Sequence, residues 1–195
     1  MIFRTLTLAD GDVVLMRHHA PDDAPKHFDA VRASLPELKQ WMPWCHASYA
    51  LADSEAWIAS RPEARQNGEV LDFVLIDPLN DVLLGSCGLN NFDYSDMRAS
   101  MGYWVRSDYA GRGLATAAAR ALASIGLAEL HLNRIEIQVA VGNRASQRVA
   151  EKIGATREGI ARNRMLVEGR VHDAVIYSLI PGDRDYPHRR ASLQV

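Results

Sequence analysis

From Ala99 to Val105 the chain alternates, with Met101, Tyr103 and Val105 on one face and Gly102 and Trp104 on the other, the two-residue period of a strand. Two apolar runs precede it, Leu71 to Ile76 and Val82 to Leu89, separated by the turn cluster Asp77-Pro78-Leu79-Asn80-Asp81. That spacing predicts a hairpin, and Tyr94-Ser95-Asp96 turns the chain again into an antiparallel meander. Further upstream, Val13 to Arg17 reads as a strand and Pro21-Asp22-Asp23 as the start of a helix over His27 to Leu35. Leu38 to Cys45 is aromatic-rich and broken by Pro43, after which Asp53-Ser54-Glu55 opens a second helix through Trp57, Ile58 and Ala59 that Gly68 ends.

The pattern changes at Gly113. Leu114 to Leu132 is rich in Ala and Leu and lacks Pro, with Leu114, Ala118, Ala121, Ile125, Ala128 and Leu132 at helical spacing. Arg134 to Val141 then alternates strictly, Ile135, Ile137, Val139 and Val141 opposing Arg134, Glu136 and Gln138. This predicts a strand parallel to the one before the helix, in a right-handed crossover. Asn143 suits the N-cap of a helix through Val149 and Ile153, with Gly154 as its C′ residue. Two more strands, near Thr156 to Arg164 and Val171 to Ile180, flank Glu168-Gly169. Pro181 to Val195 is polar with little periodicity and reads as a loose tail. The expectation is one domain over residues 1–180 and a tail over 181–195.

Composition narrows the function classes. The 195 residues are 48% hydrophobic and 24% charged, enough for one buried core. A net charge of -2 and a pI near 6.4 give no basic field, so nucleic acid and anionic membranes are not expected partners. No secretory leader pattern and no long apolar run occur in the sequence, which points to the cytoplasm. Cys45 and Cys87 have no CxxC spacing, and the seven histidines show no HExxH or paired Cys/His pattern. Reduced structural thiols and no metal are expected.

The chemistry concentrates in Tyr103 to Thr116. Gly111 and Gly113 stand where a strand passes into a helix, and the unpaired N–H groups and positive end of that helix attract an anion such as a phosphate or pyrophosphate. Spacing excludes two well-known versions of such a loop. A Rossmann fingerprint needs a sixth-position Gly, but Gly111-Arg112-Gly113-Leu114-Ala115-Thr116 ends in Thr. A P-loop needs Gly-Lys followed by Ser or Thr, which does not occur here.

What remains resembles the GNAT acetyltransferase superfamily, whose pyrophosphate loop reads Gln or Arg, two residues, Gly, one residue, then Gly or Ala. Ala110, Gly111, Arg112, Gly113, Leu114 and Ala115 occupy those positions. Ala110 departs from the pattern and lacks the usual polar side chain, which leaves the backbone and Arg112 to hold the phosphates. Asn143-Arg144-Ala145-Ser146 is similar to the Asn-x-x-Ser of the RimJ/RimL-like branch. Lys152-Ile153-Gly154-Ala155-Thr156-Arg157-Glu158-Gly159 resembles Lys-x-Gly-Phe-x-x-Glu-Gly, with Ala155 in place of Phe. Val167-Glu168-Gly169-Arg170 and Asp173 through Leu179 match the closing hairpin, and Leu35, Trp41, Pro43 and Trp44 match the branch's Leu…Trp-x-Pro-Trp segment. The resemblance covers roughly residues 10 to 180, in order.

It implies an α/β (α+β) GNAT fold: a mixed, mostly antiparallel sheet of six to seven strands with a central βαβ and flanking helices. It also implies acetyl-CoA as co-substrate, bound by the loop and by backbone groups of Trp104 and Val105 where the two central strands splay. Val105 N–H would face the thioester oxygen, Asn143 would bond the pantetheine, and Ser146 would protonate the leaving thiolate, with Tyr177 as a second acid. Trp41 and Trp44, three apart and able to share a helical face, would line the acceptor side. Glu136, Glu158 and Asp173 are the available carboxylates for a general base, and none stands out. The implied reaction is acetyl transfer to a primary amine, the α-amine of a protein N-terminus or of an aminoacyl small molecule. An aminoglycoside or polyamine transferase, a non-catalytic acetyl-CoA-binding module and a nucleotide-binding protein of another fold are the competing readings. A homodimer is also open, since related enzymes often pair.

Overall fold

The computed structural model describes residues 3–183 and Tyr186, and among these the chain forms a single mixed sheet with helices on both faces. The expected strands form as β2 (Val13–Arg17), β3 (Val70–Asp77), β4 (Val82–Asp93), β5 (Arg98–Val105), β6 (Arg134–Ala140), β7 (Thr156–Val167) and β8 (Arg170–Leu179). One more edge strand, β1 (Phe3–Thr7), brings the sheet to eight. Within it Leu6 is buried, and Leu8 just after it also enters the core. The order is β1-β2-β3-β4-β5-β6-β8-β7, antiparallel throughout except between β5 and β6.

The crossover helix α4 (Leu114–Ser124) packs Leu114, Ala118, Ala119, Leu122 and Ala123 against Leu89, Met101, Ile135 and Ile137. It does not run as a regular helix to Leu132. A π-helical turn over Ile125–Glu129 widens its last stretch, and the stripe shifts, so Ala121 is half-buried and Ala128 exposed. A Cβ on Gly126 would meet Ile135 Cδ1 at 2.6 Å, so this turn presses directly on β6.

The other face carries α1 (Ala24–Ala33), α2 (Leu35–Leu38) and α3 (Leu51–Gln66). Val31, Leu38, Cys45, Tyr49, Val74, Leu83 and Trp104 form the core there. Asp23, just before α1, is 2% exposed and more than a helix-start residue. Its two oxygens accept from Arg17 at 2.7 and 2.8 Å, and one also accepts the Ala20 N–H at 2.8 Å. After β6, α5 (Arg144–Lys152) is capped by Asn143, and Gly154 (φ 85°) follows it at C′. The tail expected from Pro181 is not loose at its start, because Tyr186 is buried in the core and its carbonyl accepts the Gly182 N–H. Residues 184, 185 and 187–195 lie outside the described part.

Candidate active site

The parallel ladder between β5 and β6 pairs Arg98–Ser100 with Arg134–Glu136, after which the strands part. Arg106 donates its N–H to the Leu84 carbonyl on β4 at 2.8 Å. Successive amides of an extended strand alternate in direction, so the Val105 N–H points the other way, into the gap. The gap holds a cavity of about 320 Å³ between Ser100–Tyr103 and Ile137–Ala140. It continues into a cleft of about 420 Å³ that reaches Trp104, Val105 and the glycine loop.

The ladder of α4 begins with Ala117 donating to the Gly113 carbonyl at 3.0 Å. The N–H groups of Gly113 to Thr116 precede it and remain for a ligand. Gly111 and Gly113 have φ of 83° and 86°, a conformation side chains rarely adopt. Ala110, Gly111, Gly113, Leu114 and Ala115 all border the cleft. The Leu114 side chain is in the core at 2% exposure, so this residue offers its backbone.

Arg112 is the departure. Its guanidinium bonds Asp10 at 3.0 Å, also binds Asp12, and lies over the Tyr109 ring, away from the cleft. Local sequence could not show this, because the two aspartates lie a hundred residues earlier in the β1–β2 turn. The cations that do border the cleft are Arg148 and Lys152, four apart on α5. Their spacing was a usable signal that the loop motif overshadowed. Replacing both with Gln is expected to weaken CoA binding about fivefold or more, whereas Arg112→Ala leaves it within about twofold. Titration calorimetry with CoA checks both, and a larger loss from Arg112→Ala would return that residue to the phosphate site.

At the other end of the gap, Asn143 Oδ1 accepts the Ser146 N–H at 3.1 Å, the N-cap bond. Tyr103 O–H donates to the Ser146 carbonyl at 3.2 Å, and the two hydroxyls are 3.1 Å apart. With the tyrosine hydrogen shared between the Ser146 carbonyl and Oγ, the serine hydroxyl keeps its own hydrogen for the gap. Burial pushes the Tyr103 phenol up to about 12, so it keeps its proton at neutral pH. Tyr103 is a site residue that reading the sequence by motifs passed over.

Trp41 and Trp44 do not share a helical face, because the chain from Lys39 to Cys45 is a series of turns. Trp41 borders the cleft and abuts Gly142, where a Cβ would meet its ring at 3.0 Å. Trp44 borders a separate aromatic cavity beside the gap. Just before α2, Ser34 ties α1 to the turn after β5: its Oγ donates to the Ala30 carbonyl at 2.8 Å and accepts the Ser107 N–H at 2.9 Å.

The other candidates are engaged in the sheet. Tyr177 is fully buried and donates to Glu151. Glu158 binds Arg134 and accepts from Ser178, Glu136 accepts from Arg134 and Gln138, and Asp173 accepts the Asn163 N–H. Hydrogen bonds from Arg134, then Ser178, pull the Glu158 carboxyl down to about 2, so it is a poor base at neutral pH. Among the described residues no group of three or more His, Cys, Asp or Glu side chains could hold a metal ion, and no helix is long and apolar enough to cross a membrane.

A glycine loop opening a helix, beside a parallel strand pair that parts after three residues, is the arrangement that the GNAT resemblance implies. The profile of the acetyltransferase (GNAT) domain matches residues 14–156, and the chain belongs to that family. YdaF of Bacillus subtilis (strain 168), named provisionally as a ribosomal N-acetyltransferase, is 44% identical over 98 residues, 50% of this chain and 54% of its own. The chain thus spans about half the length of that relative. The Escherichia coli (strain K12) ribosomal protein uS5 alanine N-acetyltransferase is 25% identical over 148 residues, 75% of this chain and 76% of its own. The structure of Mycobacterium smegmatis RimJ in complex with CoA-disulfide shares the fold, with a TM-score of 0.82 at 23% identity over 91% of this chain and 86% of that one.

Proposed function

We propose that this chain transfers the acetyl group of acetyl-CoA to a primary amine, which attacks the thioester directly while both substrates are bound. The acceptor is the α-amine of a protein N-terminus or of an aminoacyl small molecule. The observation that carries this reading is the single cleft joining the glycine loop, the open edge of β5 and the Ser146 hydroxyl. When bound, acetyl-CoA supplies the activated acyl carbon. The backbone N–H groups of Gly111 to Ala115 take the pyrophosphate, with Arg148 and Lys152 beside them. The Trp104 and Val105 backbone pairs with the pantetheine arm as a short added strand. Asn143 has spent Oδ1 on the helix and keeps its amide hydrogens for the arm. The Val105 N–H is aimed where negative charge develops on the thioester oxygen. Ser146 Oγ gives its proton to the departing thiolate and regains one from the amine nitrogen as the amide forms, and the Tyr103 hydroxyl orients it.

The engaged state of Glu136, Glu158 and Asp173 supports an α-amine. Such an amine, with a pKa near about 8, is roughly a tenth neutral at pH 7, whereas a lysine near about 10.4 is neutral in fewer than about one molecule in a thousand. The names of the relatives, which refer to ribosomal proteins, support a protein acceptor. A thiol-release assay with acetyl-CoA and a panel of amines tests the reading. Peptides with free α-amines are expected to outpace Nα-acetyl-lysine amide, an aminoglycoside and a polyamine by about tenfold or more. CoA binding without thiol release from any amine would make the chain a binding module instead.

A further inference from the structure

Beside the gap, between β4–β5 and helices α1 and α3, lies a cavity of about 350 Å³ walled by Trp44, Tyr49, Trp57, Trp104, His27 and Met42. It shares Met42, Asn90, Gly102 and Tyr103 with the cavity in the gap, so the two adjoin across these residues. The rings hold one another in place. His27 stacks on Trp57 at 4.9 Å and meets Trp104 edge-on at 5.5 Å, while Trp44 lies 6.1 Å from Trp104 and 6.0 Å from Tyr49. A hydrogen-bonded chain fixes the back wall: His27 Nδ1 to Ser54 Oγ and Ser54 Oγ to the Tyr49 hydroxyl, both at 3.0 Å.

Charge at this cavity is balanced. Asp53 caps α3 by accepting the Ala50 N–H at 2.7 Å, and Arg61 lies 4.9 Å above the Trp57 ring and pairs with Asp72 at 3.6 Å. Burial holds His27 down at about 4, so it adds no charge at neutral pH. What the cavity presents is mainly aromatic surface of no net sign, with Ser86 and Asn90 as neutral polar groups on its wall. Its volume lies near the lower end of small-molecule sites, roughly 300–1,000 Å³. The methyl of an alanine or the hydroxymethyl of a serine would leave most of it without contacts. A planar ring would pack against the exposed Trp44 ring and fill it.

We infer that this cavity seats an aromatic ring carried by the acceptor next to its amine, so that the preferred acceptors are aryl-bearing primary amines. The inference rests on the transferase reading but concerns a different set of side chains. Gly102 gives it a clean test. A Cβ built there meets nothing within 4 Å, and the position is an ordinary strand residue on the lining of both cavities, so Gly102→Leu adds bulk where they adjoin.

The experiment compares kcat/KM for the dipeptide amides Phe-Ala and Ala-Ala in the wild type, Gly102→Leu and Trp57→Ala. The wild type is expected to favour Phe-Ala by about tenfold or more, and both variants to bring the ratio near one. Gly102→Leu removes no packing, so it remains informative if Trp57→Ala folds poorly. A wild-type ratio of one or less, or a ratio unchanged in Gly102→Leu, overturns the inference. Tryptophan fluorescence titrated with phenylalaninamide in the presence of CoA separates this from the transferase reading. Saturable binding lost in Gly102→Leu, with no thiol release from any amine, upholds the aromatic seat and removes the activity. The absence of saturable binding in the wild type removes the seat.

Discussion

Ser146→Ala is expected to lower kcat about tenfold or more while leaving acetyl-CoA affinity nearly unchanged. A positioned proton donor contributes roughly 10²- to 10⁴-fold, but the thiolate it serves has a pKa near about 8.5 and leaves moderately well unaided. The adjacent Tyr103 hydroxyl, 3.1 Å away, can supply part of the loss. About tenfold is therefore expected for the single variant and about a hundredfold, the lower end of that range, for Ser146→Ala with Tyr103→Phe. The fold should not suffer. The cap bond uses the Ser146 N–H, which alanine keeps, and alanine favours the first turn of a helix. Steady-state thiol release at saturating acetyl-CoA gives kcat, and calorimetry gives the affinity; wild-type turnover in the double variant would sink the proton-donor role.

The largest expected effect on stability comes from Asp23→Asn, a loss of about 3 kcal/mol or more. Asn leaves the Arg17 guanidinium, 28% exposed, without its carboxylate in a mostly buried position. Burial raises the Asp23 carboxyl, but the Arg17 hydrogen bonds and the Ala20 N–H outweigh it, and the net shift is downward. A folded-state pKa below the unfolded value of about 3.9 means that the stabilisation is fully present above about pH 4. It is lost as pH falls through the lower folded value. In urea unfolding the gap between wild type and variant should therefore be wide at pH 7 and narrow progressively as the pH falls below about 4. Equal midpoints at pH 7, or a gap that does not narrow with acid, would contradict this account.

The local architecture was legible because it rests on short-range signals. The faces of β5 and β6, the turn at Glu168-Gly169, the Asn143 cap and the Gly154 terminator follow from periodicity and from backbone conformations few residues tolerate. Edge strand β1 was missed because five residues give little period to count. The site was legible in its backbone and less so in its side chains. Arg112 looks like a phosphate ligand until the β1–β2 turn delivers Asp10 and Asp12 to it. Trp41 and Trp44 look like one wall until the turns around Pro43 send them to different cavities. The His27, Ser54 and Tyr49 chain joins α1 to the start of α3 through tertiary packing that no spacing rule encodes.

The parting of β5 from β6 also divides the chain's history. Strands β1 to β5 come from residues before 106 and β6 to β8 from residues after 133, so the gap is the seam between an earlier and a later half of the polypeptide. Three residue pairs and the underlying α4 stitch that seam. A molecule paired along both open edges would add rungs to it and couple the halves into one cooperative unit. Amide hydrogen exchange in Met101–Val105 and in Gln138–Ala140 would then slow together on binding, although the two stretches share no ladder of their own. The co-substrate would be consumed as a reagent and, while it stays, would serve as a structural member of the sheet.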